Sequence, residues 1–159
     1  MKRNNLFIHK AIATGFGVGF APFAPGTMGA LLAVALWLAG FCWLDFAVLR
    51  WVTLVAVCLF TALGAYSATV LKPFWGKDPS RVVMDEVVGT WIALLAVPER
   101  ESLAWGYVLG AFVLFRVFDI FKPLGIRRME RFPDGVGVMA DDVLAGIYSF
   151  ILLVLVQWL

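Results

Sequence analysis

Charged residues are scarce in this chain of 159 residues: lysine, arginine, aspartate and glutamate together make up 15%, whereas 62% of the sequence is hydrophobic. Soluble domains usually contain about 25% charged and about 45–50% apolar residues. One small globule cannot bury so much apolar surface, so lipid must cover part of it. The sequence therefore predicts a single integral-membrane domain over residues 1–159.

Histidine and cysteine are also rare, which excludes several chemistries. His9 is the only histidine, and one histidine cannot build a usual zinc site. Cys42 and Cys58 stand in apolar runs without a CxxC pair and without an arginine six residues later, so a cysteine-phosphatase loop is absent and buried thiols are predicted. No GxxxxGK[ST] motif occurs, which argues against nucleotide hydrolysis. A net charge of +2 without a basic, aromatic-rich run excludes nucleic acid as a partner.

The hydrophobic runs predict an all-α polytopic membrane protein with about five transmembrane helices. Residues 11–26 are rich in glycine and proline, which is typical of a broken or re-entrant segment, and Thr27 is a candidate N-cap for the helix that follows. The five spans are expected at residues 28–44, 51–71, 82–97, 103–121 and 135–159.

Lysine and arginine favour alternate connections between these spans. They are concentrated before the first span, in residues 72–81 and in residues 122–134, so the positive-inside rule predicts a cytoplasmic N-terminus. In that orientation three helix ends deliver acidic residues to the cytoplasmic face. Those residues are Asp78, Asp85, Glu86, Asp119, Asp141 and Asp142.

Carboxylates gathered on one face repel one another unless a cation lies between them. All-oxygen ligands select a hard divalent cation such as Mg²⁺ over zinc. Arg116 and Asp119 are three residues apart and can share a helix face, which Lys122 continues after three more. Carboxylates, a hard cation and basic side chains together indicate phosphoryl transfer.

Plainer interpretations of the same residues remain open at this point. Asp141 or Asp142 could cap the last helix from its first turn, and Arg116 with Asp119 could be a structural ion pair. The arginines of residues 127–131 could contact anionic lipid only. At the level of the whole protein, a small cation- or proton-coupled transporter would use the same carboxylates, and an anionic-lipid-binding scaffold would use the basic loop.

Four sequence blocks resemble the phosphatidylglycerophosphatase A family, in the order in which that family has them. They are APGTMGALLA at 24–33, KDPSRVVMDEVVGTWIA at 77–93, FRVFDIFKP at 115–123 and GVGVMADDVLAG at 135–146. The resemblance implies a Mg²⁺-dependent lipid phosphatase of the bacterial inner membrane. Its substrate would be phosphatidylglycerophosphate, and its products phosphatidylglycerol and phosphate.

The resemblance also implies a set of functional residues. The expected metal ligands are Asp78, Asp85, Glu86, Asp119, Asp141 and Asp142. The residues expected to act on the phosphoryl group or on the attacking water are Asp85, Asp119, Asp142 and Arg116. The residues that the resemblance implies for substrate binding are Thr27, Lys77 and Lys122, and Arg127 of the basic connection is expected to join them. Which carboxylate is the base, and whether an aspartate acts as nucleophile, stays open.

Overall fold

The computed structural model describes residues 3–76, 79–99 and 101–159, and within those ranges its regular structure is helical throughout. The all-α prediction is therefore confirmed. The helices are α1 (Arg3–Ala13), a 3-10 turn (Val18–Phe20), α2 (Pro25–Trp43), α3 (Phe46–Trp75), α4 (Met84–Leu94), α5 (Glu101–Phe121), α6 (Ile126–Met129) and α7 (Asp134–Val156).

Four of the described helices, α2, α3, α5 and α7, are long and apolar enough to cross a membrane. This confirms the polytopic class. The run predicted as a fifth span, residues 82–97, forms only the 11-residue α4. At 1.5 Å per residue α4 is about 16 Å long, well short of the roughly 30 Å hydrocarbon core. The expected count of about five transmembrane helices is therefore corrected: four described helices are long enough to cross a membrane, and the predicted third span contains only the short α4.

The short helix α4 lies at the centre of the bundle and contacts α2, α3, α5 and α7. Two glycines bring α4 against α7. A Cβ at Gly89 would lie 2.6 Å from the carbonyl oxygen of Asp142, and a Cβ at Gly146 would lie 3.0 Å from the Cα of Gly89. Because no side chain fits at either position, the two backbones approach closely. This contact brings Asp85, one turn before Gly89, next to Asp142.

The N-terminal segment is broken where the glycines and prolines predicted a break. Helix α1 ends at Ala13, and the chain then turns through left-handed backbone at residues 15–17 before α2 begins. Thr27 does not cap α2: Ala24 occupies the N-cap position and Pro25 the first turn, where the missing N–H of proline costs nothing. The carbonyl of Ala13 accepts a hydrogen bond from the amide of Val83 at 2.9 Å, so this segment supports the start of α4.

The end of the bundle away from the start of α4 is filled by apolar side chains, among them Trp37, Leu94 and Val97. Arg50 and Gln157 tie this end together by donating hydrogen bonds to carbonyl groups in the turn after α4, at 3.4 Å and 2.5 Å respectively. Residues 84–97 therefore connect the two ends of the bundle although α4 itself is short.

Both cysteines are exposed on the outside of the bundle, so the prediction of buried thiols is wrong. Cys42 lies on α2 and Cys58 on α3. A bundle of few helices has little interior, and apolar runs leave much of their surface to face lipid rather than protein.

Candidate active site

Three carboxyl groups from two helices meet where α4 begins. Asp85 and Glu86 lie in the first turn of α4 and Asp142 lies on α7, and one oxygen from each falls within 4.8 Å of the others. Asp85 is 9% exposed and Asp142 only 3%. Helix α7 begins at Asp134, so Asp142 lies about two turns inside it. The interpretation of Asp141 or Asp142 as an N-terminal cap is therefore wrong.

These carboxyl groups line a cavity of about 330 Å³ that α5 and α7 complete. Asp119, near the end of α5, contributes a fourth carboxyl group, and Asp141 on α7 a fifth. The full lining is Pro79, Ser80, Val82, Asp85, Glu86, Asp119, Lys122, Glu130, Asp134, Gly137, Val138, Asp141 and Asp142. Five of the six predicted metal ligands are thus brought together.

Three described cations pair with carboxylates that line this cavity: Lys72, which pairs with Asp134 at its rim, Arg116 and Lys122. The Nη1 atom of Arg116 donates to Oδ2 of Asp119 at 2.6 Å, as their spacing predicts. The Nζ atom of Lys122 donates to Glu130 at 2.8 Å and also to Asp141. Burial alone would lower the pKa of Lys122, but the hydrogen bonds to Asp141 and Glu130 outweigh it and raise that pKa above its usual value. Lys122 is therefore a permanent cation at neutral pH.

Several polar atoms at the cavity are buried without a hydrogen-bond partner among the described residues: Oε2 of Glu86, Oδ1 of Asp141 and Nε of Arg116. Buried polar atoms in proteins are nearly always paired, so each unpaired atom calls for an explanation. A cation would satisfy the two oxygens, and an anion would satisfy the guanidinium nitrogen. A hard divalent cation with a phosphoryl group fits both requirements.

The first turn of α2 packs against Glu86, one of the residues that line the cavity. A Cβ at Gly26 would overlap Oε1 of Glu86 and would lie 3.3 Å from Nη1 of Arg116. Gly26 is therefore the residue of the first block that contacts the site. Its neighbour Thr27, predicted to bind substrate, is half-buried and is not among the residues lining the cavity.

The remaining predicted residues fall elsewhere. Lys77 and Asp78 lie outside the described residues. Arg127 lines a separate depression next to the cavity. Sequence reasoning missed three polar lining residues, Ser80, Glu130 and Asp134. Glu130 is the only acidic residue between Lys122 and Arg131, and that isolation is the signal that could have identified it.

The sequence matches the phosphatidylglycerophosphatase A family over residues 11–157. The chain belongs to this family. Two relatives named phosphatidylglycerophosphatase A come from Haemophilus influenzae and Escherichia coli, with 40% and 36% identity. The first match covers 92% of this chain and 87% of the relative, and the second covers 87% and 77%. No solved structure was found that matches the chain significantly.

A third relative comes from Bacteroides thetaiotaomicron and is 58% identical over 99% of this chain and 98% of its own length. It is provisionally named phosphatidylinositol-3-phosphatase. Membership of the phosphatidylglycerophosphatase A family makes this chain a phosphatase. Three of the four blocks that resemble the family, at 77–93, 115–123 and 135–146, contribute residues to the lining of the cavity. The first block, at 24–33, contributes Gly26, which contacts Glu86.

Proposed function

We propose that the chain hydrolyses the terminal phosphomonoester of phosphatidylglycerophosphate to give phosphatidylglycerol and inorganic phosphate. The observation that carries the proposal is the carboxylate cavity, in which Asp85, Glu86 and Asp142 converge within 4.8 Å beside Arg116 and Lys122. The family, and the names of its relatives from two bacteria, support this substrate.

The charge balance of the cavity supports dependence on Mg²⁺. Seven carboxyl groups line the cavity, and three described cations, Arg116, Lys122 and Lys72, are already engaged in ion pairs with members of this set. A phosphate dianion would be repelled by this surplus of negative charge. The carboxyl groups that would hold the cation are Asp85, Glu86, Asp119, Asp141 and Asp142. When bound, Mg²⁺ would neutralise them, polarise the phosphoryl group and lower the pKa of a coordinated water.

The protein's own side chains would then orient the phosphoryl group and move protons. Arg116, whose Nε atom lacks a partner among the described residues, would hold phosphoryl oxygens. Lys122 would stabilise the charge that grows on those oxygens in the transition state. A carboxylate among Asp85, Asp119 and Asp142 would accept the proton of the attacking water. One P–O bond would form to the water oxygen while the bond to the glycerol oxygen breaks, and the protonated carboxyl group would pass its proton to the departing glycerol oxygen, which leaves as a hydroxyl.

The location of the cavity favours an enzyme over a transporter. A transporter needs a polar path between the two membrane faces. Beyond Thr90, which donates to the carbonyl of Glu86 at 2.7 Å, the described interior is mainly the apolar cluster around Trp37, Leu94 and Val97. The buried hydroxyls of Thr53 and Ser149 donate to carbonyls of their own helices. A cavity closed at one end suits a lipid whose chains stay in the membrane while its phosphate reaches the surface.

We further propose that the cavity opens to the cytoplasmic side of a bacterial inner membrane, with the N-terminus on the same side. The distribution of lysine and arginine supports this orientation, since Lys10, Lys72, Lys122 and the arginines of α6 stand at the end of the bundle where α4 begins. Reporter fusions at residues 98–99 and at residue 132 should report opposite sides of the membrane. Finding both on one side would refute the orientation.

A second substrate has a specific observation in its favour. The relative with 58% identity is provisionally named for phosphatidylinositol 3-phosphate rather than for phosphatidylglycerophosphate. Both lipids carry a phosphomonoester on a polyol that is joined to diacylglycerol through a phosphodiester. The same carboxylate cavity would serve either lipid, so the substrate depends on how the polyol is accommodated.

The deciding experiment measures phosphate release by the purified protein in neutral detergent micelles. Phosphatidylglycerophosphate and phosphatidylinositol 3-phosphate are compared at equal concentration, with Mg²⁺ and with a chelator. We expect the first lipid to have the higher kcat/KM, and the chelator to abolish turnover until Mg²⁺ is restored. A higher kcat/KM for phosphatidylinositol 3-phosphate would make that lipid the assigned substrate instead. Turnover that survives exhaustive chelation would refute the metal dependence.

A further inference from the structure

A second depression of about 510 Å³ lies beside the carboxylate cavity, on the connection between α5 and α7. It is lined by Gly125, Arg127, Arg128, Glu130 and Arg131. The three arginines are exposed, and none of the ion pairs found among the described residues involves them. Three guanidinium groups around one concavity form a site suited to an anion.

One side chain separates this depression from the carboxylate cavity. Glu130 lines both, and its carboxylate accepts a hydrogen bond from Lys122 at 2.8 Å. Glu130 is paired with Lys122, so its single negative charge is shared between Lys122 and the three arginines. It therefore does not neutralise the arginines. The depression therefore remains a basic surface beside an acidic cavity, and a ligand with two anionic groups could reach both.

The backbone fixes the arginines relative to the cavity. Leu124 and Gly125 have φ values of 53° and 89°, which turn the chain sharply into α6. Ile126 is fully buried beneath α6, and the hydroxyl of Tyr148 on α7 donates to the carbonyl of Leu124 at 3.1 Å. Arg127 and Arg128 therefore project from a short helix, and Arg131 from the turn after it. This segment is anchored on α7, the helix that also carries Asp141 and Asp142.

We infer that this arginine depression binds the phosphodiester group of the lipid substrate while the terminal phosphomonoester lies in the carboxylate cavity. The inference rests on the proposed function. It assigns the two anionic groups of the substrate to two neighbouring sites of opposite character. The uncharged polyol between the phosphates would pass over Glu130. Arginine suits this task because its planar fork pairs with two phosphate oxygens at once.

A plainer role for the arginines is attraction to any anionic lipid surface. The two roles differ in what the arginines recognise. A phosphodiester subsite acts on a single substrate molecule, even when that molecule is dissolved in water. Surface attraction requires an assembled anionic membrane and weakens as its charge density falls. Short-chain lipids below their micellar concentration therefore separate the two roles.

The test uses the full-length protein with Arg127→Gln, Arg128→Gln and Arg131→Gln, singly and combined. Lys10→Gln is the matched control for the single variants, because its loss removes one positive charge. Lys10 on α1 lies over the ring of Trp75 on α3, outside both concavities. With water-soluble short-chain phosphatidylglycerophosphate, the combined variant should raise KM by roughly tenfold or more while kcat changes less than about twofold. The control should match wild type.

Two inhibitors identify the group that is recognised. Short-chain phosphatidylglycerol has the diester without the monoester, so its inhibition constant should rise about tenfold in the combined variant. Inorganic phosphate resembles only the monoester, and its inhibition constant should stay unchanged. Equal shifts for both inhibitors, or shifts for neither, would overturn the subsite. An effect that appears only with anionic vesicles would assign the arginines to surface attraction instead.

A failure of the proposed function would have a different signature. In that case the wild-type protein itself would release no phosphate from phosphatidylglycerophosphate, and the subsite would fall with it. If the wild type is active and the combined variant has the same KM, the proposed function stands and the subsite alone is refuted.

Discussion

The carboxylate cavity and the arginine depression are neighbours that differ in almost every physical respect. The cavity is acidic and largely buried, and helices α4, α5 and α7 build it by close packing. The depression is basic and exposed, and it is carried by a four-residue helix in a connection. Glu130 belongs to both and marks their boundary.

The difference follows from what each site would have to do. Reacting atoms and metal ligands must be held within a fraction of an ångström, which only packed helices can provide. Recognition of a flexible headgroup tolerates looser side chains, and arginines on a connection suffice for it. Mutations should therefore act on turnover and stability at the cavity, and chiefly on substrate binding at the depression. Four further experiments test this contrast, beginning with the largest expected effect.

Replacement of Asp142 by asparagine should cause the largest loss. This carboxyl group is 3% exposed and lies at the centre of the acidic cluster, so the change removes a charge that the proposed cation needs. We expect phosphate release to fall about a thousandfold while the protein stays folded. Asp45→Asn is the control, because Asp45 precedes α3 at the other end and makes no capping hydrogen bond. Near wild-type turnover by Asp142→Asn would remove Asp142 from the site.

Gly89→Ala tests whether close helix packing fixes the cavity. The added Cβ would press on the ring of Phe115 and on the carbonyl oxygen of Asp142. Overpacking of this kind typically costs about 1–3 kcal/mol, and displacement of Asp142 should lower turnover at least about tenfold. Gly106→Ala is matched, since nothing lies within 4 Å of its Cβ. Melting temperature in detergent and phosphate release measure both effects. Equal behaviour of the two variants would mean that the contact does not matter.

Lys122 connects the two regions, and its replacement should have an intermediate effect. Lys122→Met leaves Asp141, which is 5% exposed, and Glu130 without their shared cation. We expect kcat to fall about ten- to a hundredfold, with partial recovery in Lys122→Arg. A double-mutant cycle with Glu130→Gln should give a clear coupling energy in kcat/KM. Strict additivity would show that Lys122 and Glu130 act independently.

Lys72→Gln should have the smallest effect. Its Nζ atom lies 2.5 Å from Oδ1 of Asp134, but the two side chains are 43% and 45% exposed. Solvent screening limits such pairs to about 0–1 kcal/mol. The midpoint of thermal unfolding should therefore move by no more than a few degrees, with turnover within about twofold of wild type. A large loss of stability would mean that the start of α7 depends on this pair.

Much of the fold could be predicted from the sequence because lipid imposes strong patterns on it. Long apolar runs located α2, α3, α5 and α7, and the glycines and prolines before Pro25 located the break after α1. The length of α4 could not be predicted. Residues 82–97 are apolar enough for a membrane span, but whether an apolar run faces lipid or protein depends on its neighbours, and α4 is enclosed by four helices.

Most of the acidic members of the candidate site could be predicted from the sequence, but their arrangement could not. The charges that interrupt apolar runs pointed to Asp85, Asp119 and Asp142, because such residues are costly inside a membrane protein unless they are used. The role of Gly26 as a contact of Glu86 depends on where α2 meets α4. The inclusion of Glu130 depends on how α6 folds back towards Lys122.

The sequence by itself determined the membrane class, the helical composition, the family and five of the seven carboxylates that line the cavity, because each depends on residue type and spacing along one chain. The tertiary structure alone decided which of those carboxylates meet. Gly89 and Gly146 allow α4 and α7 to touch, and that contact, about two turns inside α7, carries Asp142 to Asp85 and Glu86. A distance between residues far apart in the chain is set by packing, and local sequence does not encode it.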